Sequence, residues 1–315
     1  MATLFAATFN ADDVPLTPEG IVSGCDGKTV LVSAITDPLD ADLINRLPPS
    51  VRLIAQFGNG VDNIDVEAVY RSGRTVTNTP SVLTEDTADM AVMLMLALPR
   101  RLVEGSQVLL RNQRWEGWSP TAMLGRRLRG KTLGIVGMGR IGTAVAQRAR
   151  TFGLNINYFS RSRRPPAIEE PLEARFWPEL DPMLAEVDIL SLHTPLTRDT
   201  QRILSASRIA AMKQDSFVVN VSRSELIDEP ALLDAIESGH LSGAALDVVE
   251  TRNGINPRLL DLAERNRLVL TAHMASATLE ARVEMGETVI LNIRVFADGD
   301  QPPHRVLPES GQRGR

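Results

Sequence analysis

The chain has 315 residues, enough for two domains of ordinary size, and is 43% hydrophobic, 23% charged and only 4% aromatic. Its formal charge of -5 gives no sign of a nucleic-acid surface, and one cysteine, Cys25, excludes an intrachain disulfide and a cysteine-rich metal site. No basic n-region precedes the apolar residues before Asn10, and the apolar run Ala91–Leu98 is too short to span a bilayer, so a cytoplasmic protein with no membrane or nucleic-acid partner is expected.

In chain order, strand-like runs fall at Thr3–Phe9, Thr29–Ser33, Val51–Gln56 and Thr75–Thr77, with helix-like stretches at Pro38–Arg46, Val66–Arg71 and Glu85–Leu98. The stretch Arg100–Gly130 is arginine-rich and carries Trp115 and Trp118. It reads equally as an arm wrapping a partner subunit and as a solvated connector. A second series follows, with strands at Thr132–Val136, Asn155–Tyr158, Val187–Leu192, Phe217–Val221, Ala244–Val249 and Leu268–Thr271. Its helices include Arg140–Phe152, Ser205–Ala211 and Glu229–Ser238. Alternation of this kind predicts an α/β fold of parallel sheets, and six strands suit two mononucleotide-binding halves. A last helix, about Ala277–Phe296, is expected to run back toward the first domain, and the Pro-, Gly- and Arg-rich tail from Asp298 is expected to fray.

The segment TLGIVGMGRIG, Thr132–Gly142, carries the chemistry. An apolar strand ends at Gly137, and Gly139 and Gly142 complete G-x-G-x-x-G at the start of a helix. Glycines there permit a tight turn, close backbone approach to a pyrophosphate and close packing of helix on strand, and the helix N–H groups face the anion. Met138, Arg140 and Ile141 lie within the same loop. An ordinary strand–turn–helix is the competing reading.

Further on, an acid about 20 residues after the first glycine would favour the ribose hydroxyls of NAD. The chain has Ser160 there, followed by Arg161, Arg163 and Arg164. A 2′-phosphate needs cations and no adjacent carboxylate, so NADP(H) is the preferred cofactor, with NAD(H) second. A solvated basic loop would have the same composition. His273 follows a strand at the edge where α/β sites form, and its ordinary pKa near neutrality suits acid–base work. Arg223 likewise follows a strand, and its fixed, permanently charged donor fork suits a carboxylate or carbonyl oxygen, though a surface arginine would have the same placement.

These segments, with GNGVDNIDV from Gly58, VTNTPSVLTEDTADMA from Val76, VNVSRSELIDEPALLDAI from Val219, GAALDVVE and LTAHMASAT, together resemble the D-isomer-specific 2-hydroxyacid dehydrogenases. The match is nearest to their glyoxylate/hydroxypyruvate reductase branch and covers nearly the whole chain. The resemblance implies two Rossmann-like parallel-sheet domains. A flavodoxin-like outer, substrate domain takes residues 1–95 and 277–315, and an inner dinucleotide-binding domain with a dimerisation arm takes 96–276. It implies a homodimer acting on a small 2-oxoacid or 2-hydroxyacid, with His273 as proton donor and Arg223 as clamp. Asn59 and Gly60 would grip the substrate carboxylate, Val82 and Leu83 would wall the pocket, and Asn220, Val221 and Asp247 would lie at the cofactor, Asp247 near the nicotinamide amide. No metal is implied.

Three departures stand out. Ser224 replaces the glycine that follows the family arginine. The position five after Asp247, where the family has the glutamate that pairs with the histidine, holds Arg252; Glu250 reaching back through a remodelled loop, another acid serving while Arg252 points outward, and a weakened enzyme are the three open readings. The family normally begins with a further strand and helix before the segment like Leu4–Asn10, and the expectation is either that the true start lies upstream or that the outer domain closes differently. The leading expectation is NADPH-preferring reduction of glyoxylate or hydroxypyruvate. The alternatives are a broader D-2-hydroxyacid dehydrogenase and, from Arg252, a catalytically weakened dinucleotide-binding sensor or corepressor-like protein.

Overall fold

The computed structural model describes residues 4–12, 14–112, 117–251 and 254–308. The first elements are α1 (Pro18–Gly24), β1 (Val30–Ser33), α2 (Ala41–Arg46), β2 (Leu53–Gln56), α3 (Val66–Arg71) and β3 (Thr75–Thr77). Two helices follow, α4 (Thr84–Ala97) and α5 (Leu102–Asn112). The second series comprises β4 (Thr132–Val136), α6 (Arg140–Thr151), β5 (Asn155–Phe159), α7 (Pro166–Leu172), β6 (Arg175–Trp177), α8 (Leu180–Leu184), β7 (Ile189–Leu192), α9 (Ala206–Ala211), β8 (Phe217–Asn220), α10 (Glu229–Glu237), β9 (Gly243–Leu246), α11 (Pro257–Glu264) and β10 (Leu268–Leu270). The long α12 (Leu279–Ala297) closes the order.

The chain divides into two units, Met1–Leu83 with Thr278–Arg315, and Thr84–Ala277. In the first, β1, β2 and β3 form a parallel sheet in that order. The two-residue period of β2 sends Leu53 and Ala55 against Val289 and Ile293 of α12, while Ile54 packs with Leu43, Ile44 and Val69 of α2 and α3. Aspartates start both of these helices: Asp40 accepts from the Leu43 N–H and Asp65 from the Ala68 N–H. The Asp40 cap is why α2 begins at Ala41 and not at the expected Pro38.

The second unit is a parallel seven-stranded sheet ordered β10-β9-β8-β7-β4-β5-β6. One face packs Leu133, Ile135, Ile156 and Val219 against α4 and α6, and the other packs Leu190, Leu192, Val218 and Leu246 against the helices from α8 to α11. Because β4 lies between β5 and β7, the strand order reverses there, and the carboxyl edge at such a reversal is where open α/β sheets bind their ligands.

Several expectations need correction. Residues 4–10 form no strand: Leu4 and Phe9 are exposed, and only Phe5 packs on the α12 cluster. The short strand β6 was missed, since three residues at a sheet edge carry too little period to read. The unit boundary falls at 83/84 and not 95/96, because Ala88, Ala91 and Leu94 of α4 are buried with Ala144 and Val145 of α6, and Arg148 of α6 bonds Asp89 and Glu85. The tail is pinned as far as it is described: Asn78 N–H donates to the His304 carbonyl at 3.1 Å and Val306 N–H to the Val76 carbonyl at 3.0 Å.

Candidate active site

The glycine loop leaves β4 as the spacing predicts. Gly137 has φ 98°, and a Cβ there would lie 2.7 Å from the His193 carbonyl carbon and oxygen, which cross directly over it after β7. A Cβ on Gly142 would lie 2.2 Å from the Gly137 oxygen, so the first helical turn closes on the loop only without a side chain. Gly139, the N-cap of α6, faces open space, makes no side-chain cap and is followed by no acid in the first turn. The N–H groups at this helix start therefore keep their partial positive charge for an anion. This uncapped, unfilled cradle at the sheet's switch point fits a dinucleotide pyrophosphate.

At the end of β5, Ser160 Oγ donates to the Ser162 carbonyl at 2.6 Å, and Arg161 is exposed. Arg163 is drawn back: its Nε and Nη2 donate to Glu169 of α7 at 3.0 and 2.8 Å. The buried Tyr158 hydroxyl donates to the same carboxylate and accepts from the Arg164 N–H at 2.8 Å. Hydrogen bonds from Arg163 and Tyr158 hold the Glu169 carboxyl below its usual range, and burial together with the bond to Glu169 pushes Tyr158 up to about 12.

Three neighbouring strands then bring the catalytic candidates to the same carboxyl edge. After β8, buried Asn220 shapes the turn that carries Arg223: its Nδ2 donates to the Arg223 carbonyl at 2.8 Å, and its Oδ1 accepts from the Ser222 N–H at 3.0 Å. Ser222 ties this turn to β7 through the Leu192 carbonyl at 2.8 Å, and Ser224 opens a short 3-10 turn, where its hydroxyl donates to Glu225. Val221 is buried beneath. After β9, Asp247 is fully buried. Its carboxylate accepts from Thr271 Oγ1 at 2.6 Å and from the Met274 and Ala275 N–H groups at 2.9 Å, while its carbonyl accepts from the His273 N–H at 2.8 Å. The aspartate thus fastens the loop after β10, where His273 sits exposed with a left-handed φ of 50°. Glu250 is exposed, and Arg252 lies outside the described residues, as does Trp115.

In the first unit, the loop after β2 is fixed through its carbonyls. Gly58 accepts from the Thr79 N–H, Asn59 from Asn78 Nδ2 and Gly60 from Gln56 Nε2, at 3.0, 2.8 and 3.2 Å. In a trans peptide the following N–H points the opposite way. The N–H groups of Asn59, Gly60 and Val61 are thus turned away from the donors that hold the loop, a suitable set for gripping a carboxylate. Val82 and Leu83, both partly buried, follow Ser81, whose φ is 77°.

Sequence reasoning missed Ser222, the Tyr158–Glu169 pair and His193. The last had a signal, a histidine directly after a strand at the switch point. Its Nε2 lies 2.7 Å from Ser191 Oγ, its Nδ1 is sealed from solvent without a partner among the described residues, and burial lowers its pKa to about 3. Among the described residues no cluster of three or more histidines, cysteines or acids could hold a metal ion, and no helix is long and apolar enough to cross a membrane.

The doubly wound sheet and its glycine cradle define a dinucleotide-binding protein, and comparison with known proteins identifies its family. The family model for the D-isomer specific 2-hydroxyacid dehydrogenase NAD binding domain matches residues 92–275. A glyoxylate reductase of Thermococcus litoralis is 43% identical over 280 residues, 88% of this chain and 82% of that protein. One from Korarchaeum cryptofilum is 41% identical over 299 residues, 95% and 88% of the respective chains. Among solved structures, a glyoxylate reductase from Paecilomyes thermophila superposes with a TM-score of 0.83 at 35% identity, covering 93% of this chain and 89% of that one. The NADPH-dependent glyoxylate/hydroxypyruvate reductase of Sinorhizobium meliloti, in complex with NADP and malonate, gives 0.82 at 33% identity, covering 92% and 87%. The chain belongs to the D-isomer-specific 2-hydroxyacid dehydrogenase family, in its glyoxylate-reductase branch. It is an enzyme that reduces 2-oxoacids to 2-hydroxyacids with a nicotinamide dinucleotide.

Proposed function

We propose that the preferred donor is NADPH and that the substrates are glyoxylate and hydroxypyruvate. The observation that carries the cofactor reading is the end of β5, where Ser160 occupies the place of an NAD-marking acid and Arg161 and Arg163 follow. The substrate reading is supported by the glyoxylate reductases among the relatives and by the malonate, a small diacid, bound in the Sinorhizobium meliloti enzyme.

When bound, the reduced nicotinamide supplies a hydride to the carbonyl carbon. Gly137, Met138, Gly139, Arg140, Ile141 and Gly142 would hold the pyrophosphate, Asn220 and Val221 would support the cofactor from the neighbouring strand, and Asp247 would serve its nicotinamide end. Asn59 and Gly60 bind the substrate carboxylate through main-chain N–H groups, and Val82 and Leu83 limit the size of the substrate. Arg223 holds the 2-oxoacid and stabilises charge developing on the carbonyl oxygen. His273 would donate a proton to that oxygen, which completes the hydroxyl and leaves a neutral imidazole. Glu250 is the candidate carboxylate for the place of the family glutamate. A homodimer is expected through the second unit's arm, where Leu109, Leu110 and Trp118 are exposed.

KM values for NADPH and NADH, measured with a panel of 2-oxoacids, test this. A clearly lower KM for NADPH and the highest kcat/KM on glyoxylate or hydroxypyruvate are expected. A lower KM for NADH removes the cofactor reading, and the highest kcat/KM on a larger 2-oxoacid removes the substrate reading in favour of a broader D-2-hydroxyacid dehydrogenase.

A further inference from the structure

Tyr158, the loop after it and α7 converge on one buried carboxylate. Glu169 is 6% exposed, yet it receives the Tyr158 hydroxyl and two nitrogens of Arg163. The Tyr158 oxygen in turn receives the main-chain N–H of Arg164, so one phenol joins strand, loop and helix. The helix itself is weak: α7 has seven residues, includes Pro171 and has no side-chain N-cap. Its hold on the sheet comes from this polar contact, from Leu172, buried in the core beside α6, and from Ile168, partly buried against the same core.

The arrangement leaves the arginine half committed. Its Nε–Nη2 edge is fixed on Glu169, while its side chain remains 68% exposed. A guanidinium has five donors in a rigid fork, so a cation clamped along one edge still offers the other to an anion. Nearby, Arg164 Nε is buried with no partner among the described residues, so the loop's own hydrogen bonding is incomplete. The Glu169 charge is met by Arg163 and by the hydroxyl, which stops it from acting as a repelling carboxylate toward an incoming phosphate.

We infer that Tyr158 and Glu169 are positioning residues for cofactor selectivity: they hold Arg163 and the loop 160–164 in place to receive the adenosine 2′-phosphate. The inference rests on the NADPH reading above. Preordering one long side chain and its loop spares their ordering cost on binding, which corresponds to about 3- to 10-fold in affinity.

Calorimetric titration of the apo protein with 2′,5′-ADP and with 5′-AMP tests this without turnover. Tyr158→Phe removes one oxygen and Glu169→Asp shortens the carboxylate, and both preserve net charge, so they report position and not field. Each should weaken 2′,5′-ADP by about 3- to 10-fold and leave 5′-AMP within about twofold. In an Arg163→Ala background, Tyr158→Phe should lose most of that effect. Unchanged discrimination in both variants, or an equal loss for both nucleotides, overturns the inference while the wild type's preference for 2′,5′-ADP leaves the NADPH reading standing. A wild type that binds 5′-AMP at least as tightly overturns both together.

Discussion

The main-chain N–H of His273 donates to the carbonyl oxygen of Asp247 at 2.8 Å, and the carboxylate of the same aspartate receives the N–H groups of the next two residues, Met274 and Ala275. An acid on β9's trailing end thereby sets the register of the loop after β10 and holds a non-glycine residue at positive φ. Backbone held this way costs free energy that the surrounding bonds must offset.

Asp247→Asn should consequently impair catalysis through the loop. An amide has one acceptor oxygen and an NH₂, and because Met274 and Ala275 donate to different oxygens of Asp247, the NH₂ opposes one of these two N–H groups whichever way it turns. We expect unfolding stability to drop by about 1–3 kcal/mol and kcat to fall at least tenfold. Steady-state kinetics paired with urea unfolding checks this. An active variant of wild-type stability would show that the loop holds itself.

His273→Gln removes the proposed proton donor while leaving the main-chain bond to Asp247 in place. A fall in kcat of about 10²–10⁴ is expected, with cofactor affinity little changed and with the limb of the pH–rate profile due to imidazole ionisation lost. A variant that keeps that limb would assign it to another group.

The glycines of the α6 entry should separate into two kinds. Gly142→Ala drives a methyl against the Gly137 oxygen and should lower the melting temperature of the apo protein. Gly139→Ala meets nothing within 4 Å, so the apo protein should melt normally yet bind dinucleotide at least tenfold more weakly, because the methyl fills the cradle. Thermal scans with and without NADP distinguish these outcomes, and equal behaviour of the two variants would remove the pyrophosphate from this loop.

His193 should give the fold an acid-side weakness. Its pKa is held down to about 3 from 6.5, so between these values the unfolded chain carries a proton that the native ring refuses. Stability then rises with pH across this window and is lost as pH falls from about 6.5 toward 3, by up to about 1.4 kcal/mol per pH unit. Urea unfolding at several pH values should show the wild type losing stability relative to His193→Asn as the pH is lowered. A pH-independent difference would exonerate the ring.

Much of this architecture was legible because its signals are local. β3 and α3 were read to the residue, and so was β4, since apolar periodicity and flanking Asp or Gly delimit them. The glycine loop was legible for the same reason: a left-handed residue, an open cap and a close approach each demand glycine at a set spacing. What escaped depends on partners far along the chain. Arg163 looked like a free cation because nothing in SRSRR reveals that Glu169 will turn inward beneath Tyr158. Asp247 was readable as a site acid but not as the anchor of residues 271–275, for that role exists only once β9 and β10 lie side by side. Residues 4–10 had a strand's composition but gain no strand pairing.

The placement of β4 between β5 and β7 also bears on how the protein is made. One wall of the crevice, the His193–Thr194 backbone over Gly137, is contributed by a strand that emerges only after β5 and β6 have been synthesised. A nascent chain has therefore no nucleotide pocket until β7 has joined the sheet, and the cofactor cannot template the early steps. Its benefit should fall on the finished fold, slowing unfolding and resisting proteolysis while leaving the rate of folding almost untouched.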